Sequence, residues 1–184
     1  MGVLADTWIV NEARLGSMIT PFARGRSRKG RISYGVSSYG YDFRLANEFR
    51  IPDFAGLKLL DPKRINELHF LNVEASSCSI PANSFALGRS LEYFRIPRNI
   101  LAVCQGKSTY ARCGLIVNVT PLEPGWEGYL TISLVNAAPV PIRVYAGEGI
   151  GQILFLLGEG DCTSSYADRS GKYQGQKRIQ LARI

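Results

Sequence analysis

From residue 39 onward the chain is a succession of short runs rich in Val, Ile, Leu, Tyr, Phe and Thr, broken at close intervals by Gly, Pro or Asn. The runs are YDFRLA (41–46), FALGRSLEYF (85–94), ILAVCQ (100–105), LIVNV (115–119), YLTISLVN (129–136), IRVY (142–145) and IGQILFLL (150–157). Runs of this length bounded by turn residues read as strands. Without a series of long amphipathic helices between them, a βαβ architecture is excluded and an all-β sandwich or barrel remains. Several runs alternate with a period of two. In the 129–136 run, Leu130, Ile132 and Leu134 fall on one face and Tyr129, Thr131, Ser133 and Val135 on the other. One face is therefore packed and the more polar face, with Ser133, is free for other work.

Before residue 39 the pattern differs. Asp6 is placed to cap a short helix through Trp8, Ile9, Val10, Ala13 and Leu15, with Gly16 supplying a left-handed residue to end it. Residues 20 to 38 are basic and Gly/Ser-rich with no apolar period, which predicts a loop. At the other end, residues 165–184 form a polar tail with too little apolar content for a core of its own; such a tail orders only by folding over a ligand or another subunit.

At 184 residues with 46% hydrophobic and 20% charged residues, the composition is that of one globular domain, 1–184. The four cysteines, at 78, 104, 113 and 162, contain no CxxC pair, and no N-terminal apolar stretch marks a secretory signal. They read as reduced thiols of a cytoplasmic protein. No run approaches the roughly 20 apolar residues of a membrane span. The net charge of +7 gathers in two places, Arg24 to Arg31 and Lys172 to Arg183, with no nucleic-acid-binding motif between them. Such a balance suits a small polyphosphate better than a nucleic-acid polymer.

Three stretches carry candidate chemistry: GKSTYARCGLIVNVTPLEPGWEGYLTISLVN (106–136), YAGEGIGQILF (145–155) and SGKYQGQ (170–176). Gly106 precedes Lys107, Ser108, Thr109 and Arg112, so a tight turn leads into a short helical segment with cationic and hydroxyl donors for phosphate. It is not a Walker A loop, because Leu101 stands where that motif's first glycine belongs. A zinc deaminase would show H-x-E and P-C-x-x-C, whereas the single histidine, His69, is followed by Phe70 and Leu71. His69 reads as structural, and zinc is not expected.

Five segments in register resemble the dCTP deaminase family of the dUTPase superfamily: SSYGYDFRL (37–45), SFALGRSLEYFRIP (84–97), GKSTYARCG (106–114), the PGWEG turn (124–128) with its following strand to Asn136, and GKYQGQ (171–176). The resemblance implies a distorted jelly-roll, a dUTPase-like β-barrel with a short N-terminal helix, assembled as a homotrimer with sites at subunit interfaces. It implies hydrolytic deamination of dCTP to dUTP and ammonia, with Mg²⁺ carried by the triphosphate and no metal held by protein ligands. It assigns Lys107, Ser108 and Thr109 to the phosphate and catalytic loop, and Ser108 and Arg112 to the base edge and attacking water. Glu123 falls against the deoxyribose 3′-hydroxyl. Gln152, rather than Glu148, is the ligand contact of its strand, and Tyr166, Lys172 and Gln176 belong to a tail that closes over the nucleotide.

One position departs from the pattern. The family's catalytic glutamate sits in segments of the form TLExxN, and here the strand reads TISLVN, so Ser133 occupies that place. A serine hydroxyl does not ionise near neutral pH, and loss of a general base lowers a rate by roughly 10²–10⁴-fold. Two alternatives follow: a dUTPase-like diphosphohydrolase in which Glu123 positions a water, and a non-catalytic protein that binds dCTP or dUTP without turnover.

Overall fold

The computed structural model describes residues 2–25 and 29–184; residues 26–28 of the first basic cluster lie outside the described residues. Helix α1 (Asp6–Leu15) precedes eleven strands: β1 (Ile19–Thr20), β2 (Gly35–Ser37), β3 (Gly40–Pro52), β4 (Phe70–Glu74), β5 (Ser77–Ile80), β6 (Ser84–Arg95), β7 (Ile100–Gly106), β8 (Leu115–Asn118), β9 (Glu127–Asn136), β10 (Ile142–Tyr145) and β11 (Gly149–Leu157). A four-residue helix, α2 (Ser108–Ala111), stands between β7 and β8, as the 106–112 segment implied. The all-β reading holds, and each of the seven runs is a strand.

The main sheet runs β7-β11-β3-β6-β9-β8, with β1 on β6 and with β2 and β4 on β3; β5 and β10 form a separate pair. Its two edges nearly meet. Ala102 of β7 and Leu122 beyond β8 exchange both backbone hydrogen bonds, at 3.0 and 2.8 Å, so one bridge links the two edges and the barrel is nearly closed. Inward-facing Tyr41, Phe43, Leu45, Phe94, Ile132, Leu134, Ile153 and Phe155 fill the interior. Helix α1 buries Ile9 and Ala13 and sets Trp8 against Phe155, ring centroids 5.8 Å apart.

Three local expectations are corrected. Asp6 is the first helical residue rather than the cap; Ala5 takes the cap position with no side-chain bond. Gly16 ends the helix in a right-handed conformation, and the positive φ of 52° falls on Ser17. Residues 35–37 are not loop: they pair with β3 as β2, a strand too short for periodicity to reveal.

Strand β6 contains an irregularity with energetic weight. Arg89 opposes Thr131 of β9 and Tyr93 opposes Tyr129, so Ser90, Leu91 and Glu92 bulge out of register. The bulge turns two polar side chains, Ser90 and Glu92, into the core at 0% exposure. Both are satisfied. Ser90 Oγ donates to the Glu92 carbonyl (2.7 Å) and accepts from Leu130 N (2.8 Å), replacing lost ladder bonds. Glu92 accepts from Arg44 Nε (2.6 Å), Arg44 N (2.9 Å) and the Tyr41 hydroxyl (3.2 Å). Burial pushes the Glu92 carboxyl above its ordinary pKa, and Arg44 opposes that rise.

Removing one partner of a buried pair strands the other. Arg44→Met is expected to destabilise the fold by about 3–5 kcal/mol in urea unfolding at neutral pH. The loss should shrink in acid, where the orphaned Glu92 is neutralised by a proton, and pairing the change with Glu92→Leu should recover part of it.

Candidate functional site

Strand β9 lies between β6 and β8, and Ser133 pairs with Leu87 on one side and Asn118 on the other. Leu130, Ile132 and Leu134 are buried, and alternation sends Thr131 and Ser133 to the opposite face. There they line a cavity of about 260 Å³ with the apolar side chains of Leu87, Leu122 and Trp126 and with Glu123. The remaining wall is the C-terminal tail: Tyr166, Tyr173, Gln176, Gln180 and Leu181.

The tail reaches this place through the 123–126 turn. Trp126 N donates to Glu123 O (3.0 Å) across Pro124 and Gly125, and Gly125 has φ +77°, the left-handed geometry a proline-glycine turn requires. A Cβ at Gly125 would lie 2.9 Å from Ser165, so the same glycine lets the tail approach. From there the backbone follows β9. Trp126 Nε1 donates to Tyr173 O (3.1 Å), Gly175 N to Glu127 O (2.9 Å) and Tyr129 N to Gln176 O (3.0 Å). Gln176 Nε2 returns to the Tyr129 carbonyl, and Thr131 Oγ1 accepts from Gln180 N at 3.0 Å. The tail thus lies along its own barrel, beside β9.

Two ion pairs hold its start. Arg98 grips Asp168 with both terminal nitrogens, at 3.0 and 2.8 Å, while Ser165 N donates to the same carboxylate at 3.0 Å. The Arg98 hydrogen bonds, with the Ser165 N–H behind them, hold the Asp168 carboxyl well below the usual range. Arg169 pairs with Glu123. Neither anchor was legible in the sequence, because Arg98 and Asp168 stand 70 positions apart and only the closed barrel joins them.

A second group of expected site residues gathers elsewhere. Lys107 Nζ is paired with Asp42, Gln152 Nε2 donates to Ser37 Oγ (2.9 Å), and Glu148 accepts from Ile32 N (2.9 Å). Ser108 and Thr109 are exposed on α2, and Arg112 Nη1 donates back to Ser108 O (3.0 Å). Tyr110 anchors α2 by burial, which pushes its hydroxyl up to about 12, and accepts from Tyr145 N (3.2 Å). Helix α2 leads into the start of β8, whereas Ser133 lies opposite its last residue, Asn118, so the two groups are roughly 10 Å apart along the strand. Within one chain Ser133, Glu123, Tyr166 and Gln176 share the cavity. Lys107, Ser108, Thr109, Arg112 and Gln152 do not line it, and Lys172 is exposed beside it. Among the described residues no group of three His, Cys, Asp or Glu could hold a metal, and no helix is long and apolar enough to cross a membrane. His69 closes a capping box, its Nδ1 accepting from Asn66 N at 3.1 Å.

Residues 4–158 match the family described as dCTP deaminase-like. The chain belongs to that family. The dCTP deaminases of Rhodospirillum centenum and Herpetosiphon aurantiacus are 54% and 55% identical to it over 184 residues, spanning the whole of this chain and of each relative. Among solved structures, the 2′-deoxycytidine 5′-triphosphate deaminase of Agrobacterium tumefaciens has the same fold, with a TM-score of 0.63 at 19% identity, over 85% of this chain and 48% of that one. Family membership accounts for the near-closed barrel and for the segments in register.

The Asp168 anchor has a pH consequence. A carboxyl depressed on folding contributes stability above its unfolded pKa and loses it as pH falls. Tail docking should therefore be intact at neutral pH and loosen as pH drops below about 4, the ordinary carboxylate range. Amide protection at Tyr173–Gln176, taken relative to each amide's intrinsic exchange rate at that pH, should fall there, and Asp168→Asn should reproduce the effect at pH 7.

Proposed function

We propose that the chain binds dCTP and deaminates it hydrolytically to dUTP and ammonia, at a rate held down by Ser133. The observation that carries this reading is the cavity in which Ser133, Glu123, Tyr166 and Gln176 converge on a face of β9 with apolar walls and neutral hydrogen-bonding groups. Its size and lining suit a nucleoside, with Trp126 and Leu87 offering apolar contact to a base. Full-length relatives at 54% identity bear the name dCTP deaminase, which supports the same substrate.

On this reading Glu123 meets the sugar once Arg169 yields, and C4 of the base lies toward position 133. The attacking water and departing ammonia need a proton acceptor and donor there. Serine supplies neither at neutral pH, so turnover is reduced by roughly 10²–10⁴-fold relative to a glutamate at that position. The triphosphate, with its Mg²⁺, requires cations the cavity lacks. Lys107, Ser108 and Arg112 offer donors suited to phosphate and base rather than to a metal ion, and they complete the pocket if contributed by a neighbouring subunit of a homotrimer. Gln152 and Thr109 belong with that group, and Lys172 with the tail. Such chemistry on free deoxynucleotides would suit a cytoplasmic location.

The missing carboxylate favours a second reading, a pocket that binds dCTP or dUTP without turnover. A dUTPase-like route through Glu123 is weaker, because that carboxylate is engaged by Arg169 rather than free to orient water. Incubation with dCTP and with dUTP plus Mg²⁺, following ammonia, pyrophosphate and binding separately, distinguishes them. Slow ammonia release from dCTP is the expected outcome. Tight binding with no ammonia points to the second reading, and pyrophosphate from dUTP to the third. Ser133→Glu should raise ammonia release by about 10²-fold or more; an unchanged rate with intact binding would show that position 133 does not face the reacting carbon. Light scattering with and without nucleotide tests for the trimer.

A further inference from the structure

Two arginines meet the first turn of the tail, and their hydrogen bonding differs. Arg98 is fully taken up: both terminal nitrogens go to Asp168, and one of them also reaches Ser165 Oγ at 3.2 Å. Arg169 makes a single-point pair, one terminal nitrogen against one oxygen of Glu123, at the rim of the cavity that Glu123 lines. Its other guanidinium nitrogens have no partner among the described residues. The two side chains are 51% and 43% exposed, so water screens the pair and little is lost when it opens.

The backbone beneath Arg169 is held more firmly than its side chain. Tyr166 N donates to Pro124 O (2.8 Å), Arg169 N to Ser165 O (3.2 Å) and Gly171 N to Tyr166 O (3.1 Å), with Ser170 at φ +51° closing the loop. A side chain at Gly171 would run into the Tyr166 ring, so the loop wraps tightly around that tyrosine. It is thereby tied to the turn that carries Glu123. The Arg169 side chain can leave Glu123 while its Cα stays at the rim.

We propose that Arg169 is a specificity-determining residue of this pocket, separating deoxynucleotides from unphosphorylated nucleosides: it holds Glu123 in the empty pocket and passes to the phosphate chain when a nucleotide enters. This rests on the proposed function, in which Glu123 meets the sugar. A nucleoside offers Glu123 a neutral hydroxyl and offers the displaced guanidinium nothing. A nucleotide offers both partners at once, because the sugar that Glu123 meets also carries the 5′-phosphate, whose paired oxygens match the guanidinium fork. Glu123 changes one donor for another and is at no stage free to orient a water. Arg169 then supplies, from the same chain as the cavity, a cation that the cavity lining lacks.

The test is calorimetric titration of dCTP and of deoxycytidine, with Mg²⁺, into the native chain, Arg169→Gln and Arg169→Lys, deoxycytidine being read by its displacement of dCTP. Both variants should melt as the native chain does, because the pair is exposed. Arg169→Gln should weaken dCTP by about tenfold, the size of one charge-assisted hydrogen bond. Deoxycytidine should hold its affinity or gain up to about fivefold, the size of an exposed ion pair that no longer has to open. Arg169→Lys, with the charge but not the fork, should fall between for dCTP. An equal loss for both ligands would show that Arg169 only steadies the tail, and an unchanged dCTP affinity that it never meets phosphate; either overturns the inference while the nucleotide-pocket reading stands. If dCTP does not bind the native chain, that reading falls and this one with it.

Discussion

The register of β9 is the constraint on which the rest depends. A strand has a side-chain period of two, so a slip of one residue would move Leu130, Ile132 and Leu134 into the cavity and bury Thr131 and Ser133. Two features prevent it. At one end Asn136, 1% exposed, places its amide nitrogen 2.9–3.1 Å from the carbonyls of Ile80, Pro81 and Val140, while its oxygen accepts from Ala138 N at 2.8 Å. At the other, the bulge of β6 fixes Tyr129 opposite Tyr93 through the Ser90 hydroxyl and the buried Glu92. The site inherits its geometry from these buried polar groups. They add specificity of register, which an apolar core of similar volume would not supply.

The tail depends in turn on β9. Its backbone bonds to Glu127 and Tyr129, the Trp126 indole and the Arg98–Asp168 pair hold a segment that has no core of its own. The Arg98–Asp168 pair is exposed, and exposed ion pairs contribute little individually, whereas the bonds from the Trp126 indole and Gln176 are part-buried. Their effect is cumulative and local, so the tail belongs to the least stable part of the molecule, able to open without unfolding the barrel. A wall built from Tyr166, Tyr173, Gln176 and Leu181 is thus separable from the floor built on the sheet. Access to the cavity requires only that the wall move.

Much of this was legible in the sequence, for reasons that differ by element. Period-two runs located β3, β6 to β9 and β11, because each has one face in a dry core and the other outside it. The short strands β1, β2 and β4 were not legible, since their pairing is decided by the long strands β3 and β6 that they flank, nor was β5, whose partner is the four-residue β10. Asp6 was misplaced by one position because capping preference cannot override a chain entering the helix with Ala5 already extended. Glu123, Ser133, Tyr166 and Gln176, expected from the family's segments, line one cavity. Asn118, Thr131 and Tyr173 were missed: their roles come from cross-strand register and tail docking, which no spacing in one sequence encodes.

The same register explains why position 133 can carry a polar side chain without disturbing the fold. Position 133 faces away from the packed layer, so its side chain contributes nothing that Ile132 and Leu134 do not already secure, and the fold tolerates serine there. The neighbouring polar groups are engaged by the tail and by Arg169, so they do not rearrange to compensate. The cavity's shape is written into the barrel and the turn at Gly125, whereas position 133 adds to it one outward-facing neutral hydroxyl, opposite the neutral amide of Asn118 across the β8–β9 ladder.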